Sequence, residues 1–240
     1  MLTPEVFADH ETMSRRAAEW LAERLCAKPA SLLCLASGGT PTRTYKLLAQ
    51  QPPALRRGRL LKLDEWGGLS TDDPATCEAD LRTKVVQPLG IGRNRYKGFR
   101  TAATAPAAEC ARVARWLAAN GPIDVCILGL GSNGHVAMNE PAEALVPHAH
   151  VAALAESSRN HAMLEHLAKK PRYGFTLGMA DILCSRKILL LVNGKRKRPA
   201  LRLLMHPRVT SRFPASFVWL HRDATVLCDR QAAGTITVRR

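Results

Sequence analysis

The sequence predicts an α/β fold: a doubly wound, mostly parallel sheet with helices on both faces. Two observations carry this. The runs Ser31–Ala36, Ile123–Leu128, Lys187–Val192 and Ala224–Cys228 are apolar nearly throughout instead of alternating, as strands buried on both faces must be. Stretches with helical spacing separate most of these runs, and such alternation of strand and helix is the signature of layered α/β domains. No internal repeat, low-complexity segment or long linker interrupts the pattern. Residues 1–240 are therefore read as one domain.

Taken in order, residues 9–27 predict an amphipathic helix, with Met13, Ala17, Trp20, Leu21 and Leu25 near a 3.6-residue spacing. A strand over Ser31–Ala36 leads into the loop SGGTPT and a helix from about Thr42 to Gln50. Leu60–Leu63 is a short strand that ends in Asp64-Glu65-Trp66. Asp73-Pro74 marks a helix start, Asp as cap and Pro in the first turn, with the helix running to about Val86. Pro106–Asn120 is a helix broken by Gly121-Pro122. Ile123–Leu128 is the clearest buried strand, followed by GLGSNGH. Helices are expected over 157–169 and 195–205, and strands over Lys187–Val192 and Ala224–Cys228. The whole is Rossmann-like in layout.

The chain has 46% hydrophobic and 23% charged residues, enough material for a core. No stretch approaches the roughly 18 apolar residues of a membrane span, and the acidic N-terminal stretch lacks an apolar signal core, so a cytoplasmic location is expected. Seven cysteines form no Cys-x-x-Cys pair. Those at 34, 126 and 228 lie within strands and read as reduced core thiols, and no ligand cluster suggests a metal. The formal charge of +15 favours anionic ligands. Nucleic-acid binding would want aromatic residues among the basic ones. Aromatics are only 5%, and the run Lys195-Arg196-Lys197-Arg198 contains none, so nucleic acid is not the expected partner.

Ligands of open parallel sheets bind beyond the carboxyl ends of the strands, and three such ends carry unusual residues. Ser37-Gly38-Gly39-Thr40 opens a helix, where free N–H groups favour an anion; the bland alternative is a turn that needs glycine for its shape. At Asp64-Glu65, neighbouring carboxylates point to opposite sides, so one can face a cleft as a proton acceptor. Gly129-Leu130-Gly131-Ser132-Asn133-Gly134-His135 spells G-x-G-x-x-G. It is not read as a dinucleotide site, because Pro141 interrupts soon afterwards and the motif lies past mid-chain. A histidine five residues before Glu140 suits acid–base work better.

At these residues the chain resembles the glucosamine-6-phosphate deaminase family, with its galactosamine-type members, in the superfamily that includes 6-phosphogluconolactonase. The resemblance runs from about residue 5 to 232, through SGGTPTRTYK, LDEWGGL, IDVCILGLGSNGHVAMNEP, YGFTLGMADIL, NGKRK and FPASFVWLHRDATVLCD in the family's order. It implies that Asp64 moves the proton between C2 and C1 of an opened sugar. It further implies that His135 opens the ring with support from Glu140, that residues 37–40 cradle substrate, and that Lys197 binds phosphate. A small phosphorylated sugar is the implied partner, with no metal or organic cofactor and with homo-oligomerisation left open.

The chain departs from that pattern at Asn133, where the deaminases have Asp and the galactosamine-type members resemble this chain. Asn133 is expected to orient the His135 ring by hydrogen bonding. The family's phosphate-binding arginine has no clean match in 157–170; Arg159 is nearest, and His161 is the other candidate. Ala142-Glu143-Ala144-Leu145 replaces a serine-bearing effector segment, so allosteric control is not expected. The expected reaction is isomerisation and deamination of a glucosamine- or galactosamine-type 6-phosphate. The alternatives are a 6-phosphogluconolactonase and a non-catalytic sugar-phosphate sensor.

Overall fold

The computed structural model describes residues 2–51 and 57–235. Two sheets organise it. Seven parallel strands run in the order β1-β10-β9-β6-β2-β3-β5, and three antiparallel strands in the order β4-β8-β7. The large sheet comprises β1 (Pro4–Phe7), β2 (Leu32–Leu35), β3 (Arg59–Lys62), β5 (Tyr96–Lys97), β6 (Val125–Gly129), β9 (Lys187–Val192) and β10 (Ala224–Asp229). The small one comprises β4 (Asp64–Trp66), β7 (His150–Ala153) and β8 (Tyr173–Thr176).

Both faces of the large sheet are covered, which is why its strands carry no polar stripe. Leu32, Cys34, Cys126, Leu128, Ile188 and Leu190 belong to one core cluster, while Leu33, Leu35, Val125, Ile127, Leu189 and Leu191 belong to the other. Helices α1 (His10–Ala27) and α2 (Gly39–Ala49) cover the second face; α4 (Pro106–Asn120), α6 (Met179–Leu183) and α7 (Arg198–Leu204) contribute Val113, Ile182 and Leu201 to the first. The remaining helices are α3 (Cys77–Leu81), the single turn α5 (Glu156–Arg159) and α8 (Arg230–Ala233). None of the described helices is long and apolar enough to cross a membrane.

Strands β2 and β6 are neighbours, but the chain leaves β2 for β3 on one side and β6 for β9 on the other. Such a reversal opens a crevice at the carboxyl ends of the two central strands. The loops after β2, β3, β6 and β9 all open there.

Several expected elements change. The helix placed over 157–169 is the single turn α5 followed by a 3-10 turn at Ala162–Leu164. Asp73 does not cap α3: its carboxylate takes the Ala75 N–H, and Thr76 caps the helix by accepting from Ala79. That helix ends at Leu81 and continues as a π-turn over Arg82–Val86. Helix α2 begins at Gly39, three residues before the expected start, and Gly38 precedes it at φ 97°, a conformation that favours glycine. Strands β1, β4, β5, β7 and β8 had no counterpart in the sequence reading; they are short and lack the unbroken apolar run that marks β2 and β6.

The second sheet starts because the backbone changes partners between Lys62 and Asp64. Lys62 is completely buried at the end of β3, where its Nζ donates to Glu65 Oε2 at 2.6 Å and to Glu78 Oε2 at 2.7 Å. Glu65, also completely buried, accepts the N–H groups of Trp66, Cys77 and Glu78. One ion pair thus joins β3, β4 and the start of α3. Removing one partner of such a pair leaves a buried, uncompensated charge, which costs about 3–5 kcal/mol. Lys62→Met is expected to lower unfolding free energy by that amount in urea. Lys187→Met, at the more exposed pair with Asp223, is expected to cost about 1 kcal/mol or less.

Candidate active site

The crevice holds a cavity of about 150 Å³ lined by Ser37–Pro41, Asp64, Trp66, Cys77, Gly131, His135, Ser158, His161 and Lys197, among others. All three strand ends singled out in the sequence meet there, joined by the loop after β9.

Asp64 is the first residue of β4 and is 9% exposed. Among the described residues its carboxylate has no hydrogen-bond partner, so nothing compensates its loss of water. Burial raises the carboxyl, the charge on Glu65 raises it further, and Lys62 pulls it partly back; its pKa stands at about 7. Glu65 points the other way, into the ion pair with Lys62. The two adjacent carboxylates divide as strand geometry requires.

His135 lines the same cavity as Asp64, on the loop after β6. Its Nδ1 lies 3.4 Å from Glu140 Oε2 and 3.3 Å from Ser158 Oγ. That leaves Nε2 as the ring nitrogen for a ligand. A Cβ on Gly131 would sit 2.5 Å from the imidazole, so this glycine makes room for the ring. Glu140 is anchored in turn. It accepts from Asn133 Nδ2 at 2.8 Å, from the Ala155 N–H at 3.3 Å and from the Ser158 hydroxyl. Burial would raise Glu140, but the hydrogen bond and charge of His135 outweigh it, helped by Ser158 and Asn133, and hold its pKa at about 2.

Asn133 does not orient the imidazole. Its amide is used on Glu140, and its carbonyl accepts the His135 backbone N–H at 3.2 Å. An Asp here would meet the Glu140 carboxylate as a like charge, whereas Asn gives it a donor. The turn between His135 and Glu140 is held by Asn139, whose buried amide donates to Val136 O and Leu177 O. Ala137 adopts φ 53° within it, a backbone strain that recurs at functional sites.

The SGGT loop is not wholly free for a ligand. Gly38 N–H donates to Asp80 at 3.0 Å, and the Thr40 hydroxyl donates to Asn193 at 2.6 Å. These bonds fix the loop. The Gly39 and Thr40 N–H groups, in the first turn of α2, lack an intrahelical acceptor. Lys197 reaches the cavity because Gly194, at φ 87° and bound through its N–H to Asp229, turns the chain after β9. Burial lowers the Lys197 pKa from its ordinary value.

Arg159 does not line the cavity. Its Nε is buried with no hydrogen-bond partner among the described residues. His161 is the residue that reaches the cavity instead. Sequence reasoning missed Ser158, Cys77 and the Lys62–Glu65 pair. Lone serines and cysteines carry no motif, and the lysine's burial is invisible in one dimension.

The family described as glucosamine-6-phosphate isomerases/6-phosphogluconolactonase matches residues 8–227. AgaI of Escherichia coli (strain K12), named as a candidate deaminase, is 39% identical over 219 residues, covering 90% of this chain and 87% of that protein. Glucosamine-6-phosphate deaminase 1 of Bacillus subtilis (strain 168) is 35% identical over 230 residues, 93% and 95% of the two chains. The solved structure of a monomeric glucosamine-6-phosphate deaminase superposes with a TM-score of 0.92 at 34% identity, covering 97% of this chain and 99% of that one. Solved 6-phosphogluconolactonases share the fold, at 18–21% identity and TM-scores of 0.76–0.81. On the profile match and on these deaminase relatives, the chain belongs to the glucosamine-6-phosphate isomerase/6-phosphogluconolactonase family.

Proposed function

We propose that the chain isomerises and deaminates a hexosamine 6-phosphate, giving a ketohexose 6-phosphate and ammonia. The observation that carries this reading is the pairing across one cavity of an unbonded carboxylate, Asp64, with a histidine whose Nδ1 is held by Glu140 and Ser158. A lactonase needs only to hydrolyse an ester. A residue poised to take a proton from carbon is a requirement of the isomerising reaction, and the deaminase relatives are the more similar in sequence.

In this reading His135 delivers a proton from Nε2 to the ring oxygen as the bond from C1 to that oxygen breaks, and Nε2 takes up the proton of the C1 hydroxyl, which opens the pyranose to the aldehyde. Glu140 offsets the charge that the imidazole gains and loses. Asp64 then removes the proton from C2 while His135 returns a proton to the C1 oxygen, leaving a C1–C2 enolamine, and Asp64 delivers the C2 proton to C1. The product carries a C2 imine; water adds to C2 and ammonia leaves. Lys197 and the first turn of α2 hold the phosphate, fixing the far end of the chain so that C1 and C2 stay over Asp64. A base whose pKa is near the working pH transfers protons well in both directions, and Asp64 at about 7 meets that condition.

The Asn133 contacts bear on the sugar's identity. Asn133 stands behind Glu140 and its side chain bonds to that carboxylate, so the exchange of Asp for Asn acts on the proton relay. Epimer choice falls to residues that line the cavity, among them Trp66 and Cys77. Cytoplasmic location and assembly state are carried over as expectations of the same reading.

Three outcomes test it. Asp64→Asn is expected to lower kcat by about 10²–10⁴-fold with little change in substrate affinity; wild-type turnover would remove Asp64 as the base. Because the Asp64 pKa is raised to about 7, the working ionised form grows as pH rises through that value. The kcat/KM profile of the wild type is therefore expected to fall on the acid side with an apparent pKa near 7, and an acid limb near 4 would contradict the assignment. Finally, glucosamine and galactosamine 6-phosphates are assayed for ammonia and ketose, beside 6-phosphogluconolactone for ester loss. Ammonia from either hexosamine is the expected result, and lactone consumption alone would replace this reading with the lactonase one.

A further inference from the structure

His161 occupies a particular chemical state in this cavity. It caps the 3-10 turn over Ala162–Leu164, its Nδ1 accepting the Met163 N–H at 3.2 Å. A ring nitrogen that accepts cannot carry a proton, so the hydrogen of the neutral imidazole is on Nε2. That end of the ring points to the glycine loop: Cε1 and Nε2 lie 3.7 Å from where a Cβ on Gly38 would stand. The face of the ring packs against Trp66, centroids 5.8 Å apart. Among the described residues Nε2 has no hydrogen-bond partner, although the side chain lines the cavity with Lys197 and His135.

The surroundings keep the ring neutral. Burial lowers its pKa, and the positive charges of Lys197 and His135 act in the same direction, against Asp80 and Glu165. Asp80 is itself engaged by Lys84 and by the Gly38 N–H. Protonation at Nδ1 would also break the bond from Met163 and set two donors against each other.

We propose that His161, fixed as its neutral Nε2–H tautomer by Met163, donates to the anionic group of the ligand beside Lys197. This rests on the reading of the cavity as a phosphosugar site. The anion is then met by Lys197 together with uncharged donors, the imidazole N–H and the first-turn amides of α2. An arginine at the same place would bind the anion more tightly and would carry its charge at every pH, whereas the neutral donor discriminates for an anion without adding to the field that retains product.

Inorganic sulfate, a dianion throughout the working pH range, is the probe, with affinity measured by calorimetry for the wild type, His161→Phe, His161→Gln, His161→Arg and Lys197→Met. A hydrogen bond to a charged group is lost in His161→Phe, so sulfate should bind about 10–100-fold more weakly. His161→Gln, which keeps an N–H donor, should recover part of that loss, and His161→Arg should bind more tightly than the wild type. Lys197→Met should abolish binding and so locate the ion in this cavity. Nitrogen shifts of the His161 ring should report the Nε2–H tautomer with sulfate bound. Affinity of His161→Phe within twofold of the wild type, sulfate binding that survives Lys197→Met, or a doubly protonated ring in the complex would overturn the proposal. Turnover is scored separately: weakened sulfate binding without any ammonia release would sink the deaminase reading alone, and ammonia release with unaltered sulfate binding would sink this one alone.

Discussion

The site depends on the contact between Lys62 and Glu65. Asp64 lies between residues that must point into the protein, so its own direction is decided by theirs. With Glu65 drawn beneath β4 by an ammonium and by three N–H donors, the neighbouring side chain has only the cavity to enter. The same bonds set Trp66 and Cys77 at the cavity wall. Burial of this pair is costly, and its return is a carboxylate held in place with no partner of its own. Charge is tuned by the same contact, since Glu65 raises Asp64 and Lys62 lowers it.

The two carboxylates of the cavity are treated in opposite ways. Asp64 is buried without donors and its pKa is about 7; Glu140 is buried among donors and its pKa is about 2. In the proposed reaction the first exchanges a proton with carbon near neutrality, while the second stays charged to balance His135. Environments that push like groups apart are how acid–base roles are divided. Asn133 fits this division, because it gives Glu140 a donor where a carboxylate would repel it.

Much of this was legible in one dimension. Glycines before a helix, an acid at the end of a strand and a histidine five residues before a glutamate are local patterns, and the strands that carry them are apolar without a break. The order of motifs, read together, pointed to the family that the profile and the relatives then showed. The boundaries of α4 and β9 followed from strong periodicity and strong breakers. The segment after β7 was misread because residues 157–169 have a helix-like composition, yet the chain must turn at Asn160 to bring Ser158 to Glu140 and His161 to the glycine loop.

The sequence alone determined the inner strands of the large sheet, β10 among them, the loops that carry the chemistry and the residue types available to it, because burial on both faces and helix starts are written in neighbouring residues. Only the tertiary structure decided which side chains meet. Asp64 and His135 are 71 positions apart yet line one cavity, and of the candidates Arg159 and His161 it is His161 that lines it. Those outcomes turn on where the backbone leaves one sheet for another and on which donors a buried carboxylate finds. Such contacts join distant segments, and no local spacing encodes them.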